Sequence, residues 1–302
     1  MPLSPGAATS VMTDERVAGA RSLLEQWIAL ALDAAKVAIF QERLAAITGT
    51  PGEKVLVKAL GLAPRLLGKS DLPLVAGDRE HADAIRPGWD PTGLSVDQAA
   101  RIAFLLASYR GDDDAFARLV DRLCLTADVG ELIAIYRGFA VFPAAKQLRA
   151  RAGEGVRSAM RPVFEAIAHR NPYPKDFFDE AAWNHMVLKA LFIGSTLAPI
   201  QGLDARANED LAIMLRDYAH ERWAAGRPVS PELWRCVGPF ARGEALADLE
   251  RVLTTGEGPE RAAAALALSA SPDPAARSLL AAWPELNQAI GEGRITWDRL
   301  TT

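Results

Sequence analysis

The sequence contains few of the residues that build metal centres and disulfide frameworks. Its 302 residues include only two cysteines and four histidines. Cys124 and Cys236 have no CxxC or Cys/His spacing, which excludes a disulfide framework and a zinc finger. Two isolated cysteines predict free thiols in a reducing compartment, so we expect a cytoplasmic protein without a metal site.

Charge of one sign and long apolar runs are also scarce. The formal net charge is −4 and the pI is near 5.7, so nucleic acid is not expected as a partner. The longest uncharged run, 190–203, falls short of the roughly 20 apolar residues that a membrane span needs. Residues 1–12 lack the pattern of a signal peptide and are expected to form a disordered tail.

Signals for β-strands are weak, whereas alanine, leucine, arginine and glutamate recur at helical spacing. The sequence therefore predicts an all-α fold with one helical domain over 13–302. Short Ala/Leu segments separated by the turns "TGEGP" and "SPDP" predict helical hairpins in 241–302. An irregular array of antiparallel hairpins fits this pattern, either as a HEAT-like α-solenoid or as a helical bundle.

Several local features can be predicted from proline and capping patterns. Residues 70–94 carry three prolines and are expected to be irregular, and Pro64 predicts a separate last turn in its helix. Ser95 and Gln98 form a capping-box pattern. Prolines 172 and 174 predict an extended Tyr173, and Asp176 is expected to cap the helix that follows.

That following helix, 178–193, is apolar on nearly every side, and such helices are usually buried among others. Its polar side chains Asn184, His185 and Lys189 should then have partners, because an unpaired buried polar group costs a few kcal/mol. In one interpretation Asn184 donates a hydrogen bond to a carbonyl of a neighbouring helix or loop, and the Lys189 ammonium either extends into water or pairs with a carboxylate. In the other, these side chains line a pocket for an acidic or carbonyl-bearing ligand.

Two patterns resemble metal-binding motifs, but each lacks a required residue at the required spacing. His220 and Glu221 begin a zinc-helix pattern, but Ala224 stands where the second histidine is needed. "GDDDAF" at 111–116 lacks the final aspartate of a diphosphate-binding DDxxD motif, so we expect it to complement a helix N-terminus. Neither a P-loop nor a GxGxxG pattern is present, and the sequence predicts no cofactor.

A longer block resembles a known family. The segments "EGVRSAMRPVFEAIAHRNPYPKDFFDEAAWNHMVLKALFIG" and "GLDARANEDLAIMLRDYAHERWAAGRPVSPELWRCVGPF" lie within 154–240. They contain, in order, an NPxP turn, a W-N-x-x-V-L-K-A helix, R-x-N and Y-x-x-E-R. This block resembles the EboA family of bacterial metabolite traffic proteins, and the resemblance extends more weakly to the rest of the chain. Ala159 and His185 depart from the family pattern, which favours Asn and Gln there.

The resemblance implies a non-catalytic binding or adaptor protein in the traffic or export of a secondary metabolite or its precursor. The implied partners are a hydrophobic or aromatic small metabolite and other proteins of the same gene cluster. No catalytic residue is carried over from the family. The candidate ligand-binding residues are Asn171, Trp183, Asn184, His185, Lys189, Asn208, Tyr218, Glu221 and Arg222.

Four of these residues, Asn184, Lys189, Glu221 and Arg222, are expected to meet as one buried polar cluster. Two alternatives to a carrier stay open. One is a helical lyase or transferase that uses Lys189 or His185 as acid or base on a prenylated or aromatic metabolite. The other is a scaffold whose concave surface docks other proteins.

Overall fold

The structure, a computed structural model, describes residues 12–49 and 52–300. The expected tail at 1–12 lies outside the described residues except for Met12, whose side chain is buried. The described regular structure is helical, as predicted, and its one β-bridge pairs Asp71 with Ser95. The chain divides into two compact units, up to Asp179 and from Glu180 onward. The expected single domain and the HEAT-like hairpins stay predictions.

The first unit is built around one almost fully buried helix. Its helices are α1 (Asp14–Ala31), α2 (Ala34–Gly49), α3 (Glu53–Leu67), α4 (Ala76–Ile85), α5 (Val96–Ser108), α6 (Asp113–Thr126), α7 (Val129–Gly138), α8 (Arg149–Arg157), α9 (Arg161–Ala168) and α10 (Tyr173–Phe177). Helix α5 packs against α1, α2, α3 and α7. Every residue from Ala99 to Ala107 is buried, so α5 forms the centre of this core.

A charged pair inside this core explains why α3 passes through a proline without a break. Pro64 has no N–H to donate to the carbonyl of Leu60, and Arg101 Nε donates to that carbonyl instead, at 3.0 Å. Arg101 also pairs with Asp97 at 2.9 Å. The prediction of a separate last turn in α3 was wrong, because a buried side chain replaces the missing backbone donor.

The predicted irregular stretch 70–94 contains helix α4, so this prediction was also wrong. Asp78 Oδ2 accepts the N–H of Val75 at 2.8 Å, and its Oδ1 accepts Trp27 Nε1–H at 2.8 Å. Because Ala82 is the only buried residue of α4, the apolar periodicity that reveals a helix is missing. A cap and a tertiary contact hold the helix instead.

Side chains expected to cap helices have other partners. The hydroxyl of Ser95 donates to Asp97 Oδ1 at 2.6 Å, and Gln98 Oε1 accepts from Arg137 Nη1 at 3.3 Å, so no capping box forms. Asp176 lies inside α10 and pairs with Arg86 at 2.6 Å. Tyr173 begins α10 rather than being extended, because Pro174 in a first turn costs no helical hydrogen bond.

The second unit contains α11 (Glu180–Phe192), α12 (Glu209–Ala224), α13 (Leu233–Val237), a 3-10 helix (Gly238–Phe240), α14 (Glu244–Thr255), α15 (Gly258–Ala270), α16 (Pro274–Ala281), α17 (Pro284–Gly291) and α18 (Trp297–Leu300). Residues 262–268 of α15 are all buried. A Cβ built on Gly238 would lie 2.7 Å from Ala267 Cα, so only glycine permits this close approach of the 3-10 helix to α15.

Helix α11 is enclosed on one side only. Trp183, Met186, Val187, Ala190 and Leu191 are buried, as expected from their shared stripe. Phe192, however, is 74% exposed on the opposite side. The prediction that α11 is buried on every side was wrong, because an apolar residue beyond the packed stripe can stay in contact with water.

Candidate functional site

The nine candidate residues are divided between the two units. Asn171 belongs to the first unit and the other eight to the second. Asn171 is 2% exposed and joins three backbone groups. Its Nδ2 donates to the carbonyls of Tyr136 at 2.9 Å and Ala166 at 3.3 Å, and its Oδ1 accepts the N–H of Tyr173 at 3.0 Å. Asn171 therefore holds the turn before α10.

In the second unit, Asn184 and Asn208 form a reciprocal amide pair. Asn184 Nδ2 donates to Asn208 Oδ1 at 3.0 Å, and Asn208 Nδ2 donates to Asn184 Oδ1 at 2.8 Å. Asn208 is the N-cap of α12, with its Oδ1 accepting the N–H of Leu211 at 2.8 Å. The buried Asn184 thus fixes the side chain that caps the next helix, which favours the interpretation of a structural tie.

The amide pair predicts unequal and coupled losses of stability. We expect Asn184→Ala to lower the free energy of unfolding by about 1–2 kcal/mol, because it leaves amide hydrogen bonds unmade. Asn208→Ala should cost about 2–3 kcal/mol, since it also removes the cap of α12. Denaturant unfolding of both single variants and the double variant measures these losses.

The exposed Asn287 of α17 is a matched control, and Asn287→Ala should leave the unfolding midpoint unchanged. The two losses should not add in the double variant, because each single change already breaks the pair. Strictly additive losses would show that the two amides do not stabilise each other.

Trp183 is fully buried beside this pair. The guanidinium of Arg206 lies over its ring, 4.6 Å from the centroid, in a cation–π contact. Its indole N–H finds no hydrogen-bond acceptor among the residues that the structure describes. Trp183 itself has no exposed surface.

His185, Glu221 and Arg222 have surroundings that differ from those of Asn184. His185 is exposed, and its Nδ1 lies 2.7 Å from the carbonyl of Ala181. Glu221 is exposed, and Arg222 Nε donates to the carbonyl of Pro228 at 3.0 Å. The expected buried cluster of four therefore does not form. Lys189 and Tyr218 are partly exposed, and a ligand-binding role for the nine residues stays a prediction.

A cleft in the first unit was missed by the sequence analysis. It has a volume of about 270 Å³ and lies between α3, α6 and the segment that joins α5 to α6. Its lining residues are Ile47, Gly52, Glu53, Leu56, Ser108, Tyr109, Arg110, Asp112, Ala115, Phe116, Leu119 and Arg122. We call it the Tyr109 cleft.

Two aromatic rings are packed edge to face in the Tyr109 cleft. The rings of Tyr109 and Phe116 are 5.7 Å apart, and the Tyr109 hydroxyl donates to Asp113 Oδ1 at 2.9 Å. Burial, followed by that hydrogen bond, raises the pKa of Tyr109 to about 12, so the phenol is neutral at physiological pH. Arg122 Nη2 meets Glu53 Oε2 at 2.9 Å on the exposed side.

The acidic motif at 111–116 borders this cleft, and its role there is to begin helix α6. Asp112 Oδ1 accepts the N–H of Ala115 at 2.9 Å and caps α6, with Asp113 and Asp114 in the first turn. This confirms the expected helix N-terminus. The signal that could have found the cleft was the flanking pair Tyr109 and Phe116, two aromatics on either side of a helix start.

Comparison with known proteins places the chain in a family. The family model described as "Metabolite traffic protein EboA" matches residues 20–238. The chain belongs to the EboA family. This confirms the resemblance drawn from 154–240 and extends it across both units. No curated protein and no solved structure matches the chain.

The EboA match includes all nine candidate residues and the whole lining of the Tyr109 cleft. Helices α14 to α18 lie beyond the matched range. Among the described helices, none combines the length and the apolar character that crossing a bilayer requires.

Proposed function

We propose that the protein is a non-catalytic carrier that binds a small hydrophobic or aromatic metabolite, a secondary metabolite or its precursor, during traffic through the cytoplasm. The description of the EboA family supports a role in metabolite traffic. The single observation that carries the binding part of the proposal is the Tyr109 cleft.

The chemistry of the Tyr109 cleft suits an aromatic ligand. Its walls include the apolar side chains of Ile47, Leu56, Phe116 and Leu119. The polar lining groups are Ser108, the neutral hydroxyl of Tyr109 and four charged side chains that already have partners. Glu53 pairs with Arg122, Arg110 donates to the carbonyl of Ile47, and Asp112 accepts the N–H of Ala115. Small-molecule sites combine apolar walls with a few placed polar groups, in volumes of about 300–1,000 Å³. A cleft near the lower end of that range fits a ligand with one or two fused rings.

The low cysteine content, two residues without a disulfide framework, supports a reducing location. Cys124 and Cys236 are buried free thiols, and burial raises the pKa of each to about 12. Such thiols are mostly protonated and unreactive at neutral pH. We propose a cytoplasmic carrier that hands its ligand to other proteins of the same gene cluster.

A neutral fluorescent probe tests the binding proposal. We expect N-phenyl-naphthylamine to bind saturably, with a fluorescence increase and a higher Tm, because a ligand of the folded state stabilises it. Leu119→Asn, on the half-buried wall of the cleft, should weaken probe binding by roughly tenfold, since burying one leucine contributes about 1.5–3 kcal/mol. Fluorescence titration measures both affinities.

Leu125 provides a matched control on the same helix. It is 74% exposed and does not line the cleft, so Leu125→Asn should keep the affinity of the unaltered protein. Equal weakening by both leucine variants would show that the probe reports general hydrophobicity. The proposal would be overturned by that result, or by the absence of saturable binding.

A further inference from the structure

A second cavity in the first unit is bordered by positive charge. It has a volume of about 210 Å³ and lies between α7, α9 and the loop before α5. Its lining residues are Gly93, Ile133, Arg137, Pro162, Glu165, Ala166, His169 and Arg170. A smaller recess shares Arg137, His169 and Arg170 with it and also contacts Asp90. We call the two together the arginine cavity.

Arg137 is a half-buried cation whose hydrogen bonds go to neutral groups. Its Nη1 donates to the carbonyl of Gly93 at 2.6 Å and to Gln98 Oε1 at 3.3 Å, and its Nη2 donates to the carbonyl of Thr92 at 2.7 Å. Within the described part of the chain, no carboxylate forms an ion pair with Arg137. No acceptor for its Nε–H is found there either, so Arg137 keeps donor capacity for a ligand.

The electrostatic state of Arg137 reflects this environment. Desolvation by burial, followed by repulsion from Arg170, lowers its pKa to about 10, while Asp90 and Asp71 oppose the shift at longer range. The guanidinium is still charged at neutral pH. A buried charge is costly unless it is paired, so an anion in the cavity would relieve part of that cost.

Arg170, which also lines the cavity, has an unusual backbone conformation. Its φ of 50° lies in the left-handed region, which costs a residue other than glycine about 1–2 kcal/mol. Its side chain is half exposed, and the closest carboxylate oxygen, Asp90 Oδ2, is 3.9 Å away. Strained residues tend to cluster at binding sites, where the surrounding structure holds them in place.

The carboxylates at the arginine cavity already have other cations beside them. Glu165 Oε1 is 2.7 Å from Arg161 Nε, and Asp90 Oδ2 is 3.7 Å from Arg79 Nη2. The lining residues and these two partners together contribute four guanidinium groups and two carboxylates. The lining itself carries two arginines and two carboxylates, and Arg161 and Arg79 lie beside those carboxylates, so Arg137 and Arg170 are not their only cations.

We propose that the arginine cavity binds the carboxylate or phosphate group of a small molecule, between the fork of Arg137 and the side chain of Arg170. Guanidinium groups bind both kinds of anion through paired N–H donors. A volume of 210 Å³ admits a single small anionic group rather than a polymer. This site goes beyond the proposed carrier function and is separate from the Tyr109 cleft, where a neutral probe is used.

Titration with inorganic phosphate tests the proposal. At constant ionic strength maintained with chloride, the Tm of the protein should rise with phosphate concentration and reach saturation. Arg170→Asn should weaken phosphate binding by roughly ten- to a hundredfold, the value of a hydrogen bond to a charged group. Asparagine suits this position because it tolerates the left-handed backbone.

Arg157 is the matched control for Arg170. It is an exposed arginine that pairs with Glu154 and does not line the cavity, so Arg157→Asn should keep the phosphate affinity of the unaltered protein. A parallel titration with acetate distinguishes phosphate ligands from carboxylate ligands. Whichever of the two anions binds more tightly identifies the class of ligand. Arg137→Lys keeps the charge but loses the fork, and should weaken binding of the preferred anion.

Two outcomes would overturn the anion site. In one, neither phosphate nor acetate raises the Tm more than chloride at the same ionic strength. In the other, Arg170→Asn and Arg157→Asn bind the anion equally well, which would place its effect elsewhere on the chain. Neither outcome affects the binding of the neutral probe to the Tyr109 cleft, so the two proposals succeed or fail independently.

Discussion

Replacing Asp176 with alanine is expected to lower the free energy of unfolding by about 3–5 kcal/mol, because it leaves a buried arginine without its counter-ion. The side chain of Arg86 is 2% exposed, and its Nη2 lies 2.6 Å from Asp176 Oδ2. Burial is the largest influence on Arg86 and lowers its pKa, while Asp176 acts in the opposite direction. The pair joins the end of α4 to α10, so its loss should loosen both segments.

The double variant Arg86→Met/Asp176→Leu is the critical comparison. Removing both charges removes the uncompensated cation, so this variant should regain most of the stability lost by Asp176→Ala. Glu154→Gln, which breaks the exposed pair with Arg157, should leave the unfolding midpoint unchanged. Denaturant unfolding compares the variants. If Asp176→Ala is no more harmful than Glu154→Gln, the buried pair does not hold α4 and α10.

The fold class and many helix boundaries could be predicted from sequence because they depend on local patterns. Asp128 and Glu131 stand three positions apart, the spacing of a capping box, and their reciprocal hydrogen bonds cap the start of α7. Asn208 caps α12 through the N–H of Leu211, which is also three positions away. These features depend on residues three positions apart, which the sequence displays directly.

The features that could not be predicted depend on contacts between distant segments. Pro64 fits inside α3 only because Arg101, from another helix, donates to Leu60. Asp176 was free to cap α11 by local rules, but a buried arginine 90 residues earlier attracts it instead. Helix α4 has too few buried residues for its period to be visible.

The candidate site was only partly predictable for a related reason. The sequence identified Asn184 as a polar residue that needs a partner, and the structure supplies one in Asn208. It could not identify the Tyr109 cleft or the arginine cavity, because their lining residues are far apart in the chain. Arg137 looks like an ordinary helix-end arginine until the loop carbonyls around it are known.

Replacing Trp183 with alanine is expected to lower the free energy of unfolding by about 3–5 kcal/mol, as for other large-to-small core changes of aromatic residues. The ring is fully buried and lies under the guanidinium of Arg206. Trp183→Phe should cost less, about 1–2 kcal/mol, because it keeps most of the packing and removes an indole N–H that has no acceptor among the described residues.

Phe192 on the same helix is the matched control for Trp183. It is 74% exposed, so Phe192→Ala should change stability by less than about 0.5 kcal/mol. A tryptophan that only contacted ligand would show the reverse pattern, with lost binding and unchanged stability. Because Trp183 has no exposed surface, a ligand could reach it only if the surrounding packing opened. Denaturant unfolding of the three variants therefore separates a core residue from a binding residue at this position.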